Sequence, residues 1–343
     1  MKDKRITIAD IAKKSGYSKT SVSFAFNCPE RISATAVEKI LETAKNLDYI
    51  PDPIARNFSL GQHFSLGFLA PQSLDITILN PHAVEVLRGI GTVCEKNGYT
   101  LTLIPPLHSS IAEAIKNATV DGIIGMGLEF KSDIREALKK RKLPLVCLDA
   151  IEEDDTYSIS IDNSEAAFTQ MSKVLERGHR DIAIISLPEA AYIETKDEIS
   201  PGVAQYRSMG YKKAFERYQA EVNISQVAEV ATFQGGKRAA KEILSKANPS
   251  CIVTMSDIQA LGVIEELKER KIRVPDDISV VGFDGSVKEY PLSFSLATID
   301  QNGYKKGEKA AEALFNILKG KEPSENKILM PFSFIDGGSL KSI

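Results

Sequence analysis

Three short amphipathic segments crowd into the first fifty residues of this 343-residue chain, separated by Gly16-Tyr17-Ser18 and closed off by Tyr49-Ile50-Pro51. Segments this short are marginal helices in water, so they must pack on one another. Thr7 is placed to cap a helix over Ile8 to Ser15, with Asp10 as the capping-box acid and Ile8, Ile11 and Ala12 as its buried stripe. Gly16 supplies a tight turn, and Ser18 caps a second helix ending near Asn27. At 100° per residue, Val22, Ala25 and Phe26 fall on its inner face, and Lys19, Thr20, Ser23, Phe24 and Asn27 on the other. Ser33 caps a third helix, with Val37, Ile40, Leu41, Ala44 and Leu47 as its stripe. A bundle used for dimerisation or docking would have the same periodicity. The short glycine turn and an outward face of Lys, Ser, Thr and Asn, groups that donate to phosphates and base edges, point to a helix-turn-helix that binds DNA.

Charge placement agrees with that reading. Residues 1–62 carry ten Lys/Arg against seven Asp/Glu, while the whole chain carries 43 against 46, so the basic excess is confined to the head. That balance excludes a protein that coats nucleic acid generally. The length exceeds one ordinary core and predicts two or three lobes. Cys28, Cys94, Cys147 and Cys251 are far apart, as expected of reduced thiols in a cytosol rather than of zinc or disulfides. With no N-terminal apolar h-region and no long apolar run, neither export nor a membrane span is expected, and the sequons at Asn117 and Asn223 carry no meaning. No G-x-G-x-x-G follows the first strand, and there is no P-loop, G-x-S-x-G or H-E-x-x-H. No enzyme activity, cofactor or metal is expected.

After Pro51, the stretch Pro53 to Gly61 has proline at a helix start and glycine past its end, with Ile54, Phe58 and Leu60 at helical spacing. So short a helix needs a partner to form. From Phe64 onward apolar runs alternate with amphipathic stretches. The strands are predicted at Leu66–Ala70, Leu101–Ile104, Gly122–Met126, Leu145–Leu148, Ile182–Ile185, Ile252–Met255 and Ser279–Phe283. Helical patterns between them include Ala83–Asn97, Ser164–Arg177, Tyr211–Tyr218, Gly236–Lys246 and Ile258–Arg270. Such alternation predicts parallel, doubly wound sheets that bind ligands beyond the carboxyl ends of their strands.

Ile6 to Ala12, Gly16 to Ser23, Asn27, Ile32-Ser33, Leu47 to Pro51 and Ala55-Arg56 together resemble the head of the LacI–GalR family of bacterial repressors. Arg177 to Arg180, Arg207-x-x-Gly210-Tyr211, Ser256-Asp257-x-x-Ala260-Leu261-Gly262 and Val281 to Asp284 resemble its core, a fold shared with periplasmic sugar-binding proteins. The resemblance implies an all-α helix-turn-helix head on an α/β body of two doubly wound parallel-sheet subdomains. The implied division is a DNA-binding domain at 1–50, a hinge at 51–62 and an effector-binding and dimerisation domain at 63–343. Within the last, one subdomain takes 63–161 and 294–325, the other 162–293 and 326–343.

By that resemblance Lys19 and Thr20 read bases, and Thr7, Ser18, Ser21, Asn27, Arg31 and Ser33 grip the backbone, with Ser23 and Phe24 on the same face. Phe24 stands where the family most often has Arg. A phenyl ring offers apolar contact, for instance to a thymine methyl, in place of a bidentate hold on guanine, so an unusual half-site is expected; shielding a local patch or contacting the hinge is the open alternative. Ile54, Ala55, Arg56, Asn57 and Phe58 would form the hinge helix, with Phe58 as the minor-groove wedge in place of the usual Leu. Arg207, Ser256 and Asp284 are implied to line the effector cleft, with Asp149 and Gln301 as further candidates. Asp257 is either a ligand contact or a helix cap, and His179 is read as a turn residue. The acidic stretch 188–206 is longer than the family's usual connection and reads as a lid, a partner surface or an excursion without structure.

The resulting expectation is a cytoplasmic transcription regulator, a repressor, that binds double-stranded palindromic operator DNA as a homodimer. Its affinity would be set by a small-molecule effector, a sugar or sugar derivative. The chain stops after Phe334 to Ile343 without the leucine heptads of the family's tetramers, which is why a dimer is expected. Control by a protein corepressor is the alternative; a solute-binding protein is disfavoured by the head.

Overall fold

The computed structural model describes residues 6–51, 57, 60–70, 72–127, 132–149, 156–188, 202–219, 221–288, 290–291, 293–321 and 325–343. The hinge candidates Ile54, Ala55, Arg56 and Phe58 lie outside these residues, as does most of the acidic stretch, 189–201. The chain divides into two compact units, Met1–Phe64 and Ser65–Ile343.

In the first unit, helices α1 (Ile8–Ser15), α2 (Lys19–Asn27) and α3 (Ala34–Asn46) begin at Thr7, Ser18 and Ser33. The Asp10 carboxylate accepts both the Thr7 N–H at 2.9 Å and the Thr7 hydroxyl at 2.7 Å. Ser18 and Ser33 accept from the N–H groups of Ser21 and Ala36. Gly16 ends α1 with φ +80°, and a side chain there would meet open space, so backbone conformation alone calls for glycine. Ile11, Val22, Ala25, Ile40 and Ala44 form the core, with Phe26, Leu47 and Tyr49 packed against it. Leu41 was expected in the α3 stripe but is 40 % exposed; Ala36 fills the buried position instead, because the apolar stripe is narrower than the periodicity implied.

The second unit holds two six-stranded sheets. The first runs in the order β11-β5-β4-β3-β1-β2, built from β1 (Ser65–Leu69), β2 (Thr100–Ile104), β3 (Gly122–Met126), β4 (Leu145–Leu148), β5 (Tyr157–Ser160) and β11 (Lys327–Leu329). The second runs β12-β10-β9-β8-β6-β7, built from β6 (Asp181–Ser186), β7 (Asn223–Ala228), β8 (Cys251–Thr254), β9 (Ser279–Asp284), β10 (Ala297–Asp300) and β12 (Ser333–Ile335). Pairing is parallel except that β12 runs antiparallel to β10. Helices α4 (Leu74–Leu79), α5 (Pro81–Asn97), α6 (Ile111–Asn117) and α7 (Ser132–Arg141) follow the strands of the first sheet. Helices α8 (Asn163–Glu176), α9 (Val203–Tyr218), α10 (Phe233–Lys246) and α11 (Asp257–Glu269) serve the second, and α12 (Gly303–Leu318) returns to pack on α5 and the first sheet.

Three of these helix pairs touch through glycine. A Cβ on Gly307 of α12 would lie 2.1 Å from the Val86 carbonyl oxygen, one on Gly210 of α9 2.1 Å from that of Ser164, and one on Gly262 of α11 2.1 Å from that of Phe233. Such backbone contact leaves no room for even a methyl group.

Strand pairing moves two of the expected boundaries. Residues 297–300 pair with β9 and belong to the second sheet, and 327–329 pair with β5 and belong to the first, opposite to the division expected for 294–325 and 326–343. The chain therefore crosses between sheets near 161–162, 301–302 and 330–332. Helix α9 begins at Val203, so 203–206 are helical rather than loop, and Gly202 donates to the Gln205 side chain at 2.6 Å. His179, expected at a turn, is fully buried and ties Ser250 Oγ at 2.9 Å to the Lys341 carbonyl at 3.0 Å. Among the described residues no helix is long and apolar enough to cross a membrane, and no His, Cys, Asp and Glu cluster could hold a metal.

Candidate DNA-binding face and effector cleft

On the head, the caps decide which groups face outward. Ser18 opens α2, so Lys19 and Thr20 occupy its exposed first turn, where free N–H groups and the helix dipole favour phosphate. Val22 and Ala25 turn inward and are buried. Ser23, Phe24 and Asn27 lie on the opposite side at intermediate exposure, with Asn27 Nδ2 donating to Ser23 Oγ at 3.4 Å. Ser21 shares a 2.9 Å hydroxyl contact with Ser18, and Thr7 and Ser33 are exposed at their caps. Arg31 is exposed on the turn Pro29–Arg31, and its guanidinium lies 5.4 Å from the Phe24 ring centroid. Phe24 thus has a cation from its own chain beside its ring. Asn57 has helical backbone, and its side chain donates to the His63 carbonyl at 2.9 Å.

In the second unit, the carboxyl ends of β4, β8, β9 and β10 converge. Asp149 follows β4, Ser256 and Asp257 follow β8, Asp284 ends β9 and Gln301 follows β10. Asp149 and Asp284 hold positive φ values of 51° and 127°, the kind of backbone outlier that collects at functional sites. Arg207 reaches in from α9 and is 4 % exposed. Its Nε donates to Asn163 Oδ1 at 3.0 Å, one terminal nitrogen donates to the Met255 carbonyl, and the guanidinium stacks 3.6 Å from the Phe283 ring centroid. Burial pulls its pKa down, opposed by Asp284 and other anionic neighbours.

A continuous polar chain runs through the cleft. Lys306 Nζ, fully buried on α12, donates to both Asp149 carboxylate oxygens at 2.9 Å and to Gln301 Oε1 at 2.6 Å. Gln301 Nε2 donates in turn to Asp284 Oδ1 at 2.7 Å, and the Asp257 N–H approaches Asp284 Oδ2 at 3.4 Å. The lysine is paired on every side, which is the condition for a buried ammonium to persist.

The structure separates the candidates Ser256 and Asp257 by role. Ser256 is the cap of α11, accepting the Gln259 N–H at 3.4 Å. Asp257, fully buried, accepts from the Thr298 hydroxyl at 2.6 Å and the Ser286 N–H at 2.7 Å, tying the start of α11 to β10. Burial first, then the Asp284 carboxylate, pushes its carboxyl up to about 8.

Three residues of the cleft had not been anticipated from the sequence: Asn163, Lys306 and His82. Lys306 carried a signal, since it lies within the buried stripe Gly303, Gly307, Ala310, Ala311 and Leu314 of α12. His82 sits at the start of α5, just after Asn80, which accepts its N–H at 3.0 Å. Pro81, the residue before it, lines a groove of about 380 Å³ with Glu85, Ser286 and Tyr290 among others.

Residues 7–52 match the family model described as bacterial regulatory proteins, lacI family, and residues 172–340 match a periplasmic binding protein-like domain. The chain is 28% identical over 348 residues to the HTH-type transcriptional repressor PurR of Vibrio cholerae serotype O1, covering 98% of each. It is 27% identical to the HTH-type transcriptional repressor CytR of Escherichia coli K12, over 98% of this chain and 97% of that protein. The lac repressor dimer bound to operator and the anti-inducer ONPF has the same fold, with TM-score 0.78, 22% identity and coverage of 99% of this chain and 100% of that one.

Proposed function

We propose that the chain, whose head matches the lacI family of bacterial regulatory proteins, is a DNA-binding transcriptional repressor that binds a palindromic operator as a homodimer, with its affinity set by a small molecule in the Arg207 cleft of an effector-binding domain. The proposed ligand is a sugar or sugar derivative, and the proposed location the cytoplasm. The observation that carries this reading is the buried cluster of Arg207, Asp284, Gln301, Lys306 and Asp149, in which charged groups at strand ends are held rigidly by their neighbours. Such groups can orient hydroxyls without paying again to be ordered. Lys19 and Thr20 are assigned to bases, and Thr7, Ser18, Ser21, Asn27, Arg31 and Ser33 to phosphates, with Phe58 as wedge.

An effector shifts DNA occupancy only through unequal affinity for the DNA-bound and free states, and a tenfold change in operator affinity requires a difference of about 1.4 kcal/mol. Selection of operators from random duplexes, followed by calorimetric titration of the full chain with sugars, nucleosides and their phosphates, tests the reading. A compound that binds, alters operator affinity and loses both effects in Arg207→Ala supports it. Operator binding that responds only to a protein partner from the same cell assigns control to a corepressor instead.

A further inference from the structure

On the outward face of α2, one helical turn after Thr20, stands a single large apolar side chain, Phe24. The exposed Arg31 lies over it, with the guanidinium carbon 5.4 Å from the ring centroid. The backbone between the two is fixed: the Cys28 N–H donates to the Phe24 carbonyl at 2.8 Å, the Arg31 N–H to the Cys28 carbonyl at 3.0 Å and the Ile32 N–H to the Pro29 carbonyl at 3.3 Å. Arg31 is therefore held beside the ring by the turn as well as by attraction to it. Among the described residues no carboxylate, carbonyl or hydroxyl accepts from its side chain, although Glu30 is its neighbour in sequence. The exposed arginines Arg238, Arg270 and Arg273 of the effector unit each hold a carboxylate at 2.8 Å. Arg31 instead packs on a ring and keeps its fork of donors uncommitted. A phosphate accepts a cation from many directions, so a mobile lysine or arginine serves it without help. Guanine presents O6 and N7 in one fixed plane, and a guanidinium restricted in advance loses less freedom on meeting that pair. The ring supplies the restriction, and being only partly buried it still offers apolar surface to a thymine methyl.

We propose that Phe24 and Arg31 act as one reading unit, in which the Phe24 ring orients the Arg31 guanidinium onto a guanine edge in the major groove of the operator. The inference rests on the reading of the head as an operator-binding domain, and it moves Arg31 from the phosphate contacts assigned to it there to a base, with Phe24 as its positioning residue.

Operators are selected from random duplexes with the full chain. Affinities of the parent and of Arg31→Ala, Arg31→Lys, Phe24→Ala and Phe24→Tyr are then measured on the selected operator, on random DNA and on operators carrying 7-deazaguanine at each guanine in turn. The parent should select a guanine at one position of each half-site and bind about tenfold or more weakly when that base lacks N7. Arg31→Ala should bind the selected operator about tenfold or more weakly and be indifferent to the 7-deaza base. Arg31→Lys, which keeps the charge, should hold random DNA with the parent's salt dependence while its preference for that guanine falls. Phe24→Ala should reduce the same preference about fivefold, and Phe24→Tyr, which keeps a ring, should retain it. Equal losses on operator and random DNA in Arg31→Ala, with a salt slope shallower by about one phosphate, would make Arg31 a backbone contact and overturn the proposal. An unchanged guanine preference in Phe24→Ala would also overturn it, as would a Phe24→Ala head that melts below the parent and loses both DNAs alike. A parent that selects no operator would fail the operator-binding reading itself, and this inference with it.

Discussion

The head and the effector unit solve opposite problems. Among its described residues the head buries six apolar side chains and a single polar one, Ser15, so its chemistry lies on a helix surface. The effector unit buries its chemistry: Arg207, Asp257, Asp284, Gln301 and Lys306 are all at most 5 % exposed. A contact surface for a highly charged polymer can remain hydrated, whereas a site for a small molecule has to be built in advance from groups already paired. The first depends on a small core staying folded, the second on charges staying matched.

The largest expected effect breaks the head. Ile40→Ala removes a fully buried side chain from its core and should cost about 2–5 kcal/mol, enough to unfold so small a unit. Operator and non-specific DNA binding should both vanish in mobility-shift assays while ligand calorimetry is unchanged; parallel loss of ligand binding would mean the two units do not fold separately. Next comes the matched charge. Lys306→Met strands Asp149 and Gln301 in the cleft and should lower stability by about 3–5 kcal/mol, with much of the loss recovered in Lys306→Met combined with Asp149→Leu. Denaturant melts of both variants decide it, and a double variant no better than the single one would show that the pairing is not what stabilises the cleft.

Smaller effects sharpen the contrast. Phe24→Ala removes the ring beneath Arg31 and should weaken operator binding by about 1 kcal/mol, with less change on random DNA. Equal binding of the selected operator by parent and variant would assign Phe24 to shielding alone. A pH slope stands apart from that order. Because Asp257 titrates near 8 in the fold against an ordinary 3.8, the native state holds an extra proton between those values, so its contribution to stability falls as pH rises from about 4 to 8. Asp257→Asn should flatten that slope, which melts across the range would reveal.

The three helices of the head were legible because Thr7, Ser18, Ser33 and Gly16 announce their ends locally. Strands β3 and β4 were legible as apolar runs. Strands β5, β7, β10, β11 and β12 were not: four of them have only three or four residues, and β5 and the edge strand β7, Tyr157–Ser160 and Asn223–Ala228, mix polar with apolar residues. That mixture also misplaced β10 and β11, since nothing local says which sheet a three- or four-residue strand will join. Lys306 follows Lys305, and the pair reads as a solvated face; yet Lys305 meets Glu308 at the surface while Lys306 is sealed on the inner face of α12.

By itself, the sequence determined what depends on neighbours a few residues away: the helix-turn-helix, its outward face, the alternation that makes parallel sheets and the residues at several strand ends. Tertiary structure decided what depends on the meeting of distant segments. It brought Asp149 to Lys306 across 157 positions, turned Asp257 from a possible cap into a tie between α11 and β10 and left His82 buried without a partner. The physical reason is that capping and periodicity are short-range, whereas the partner of a buried charge is fixed by which strands lie side by side.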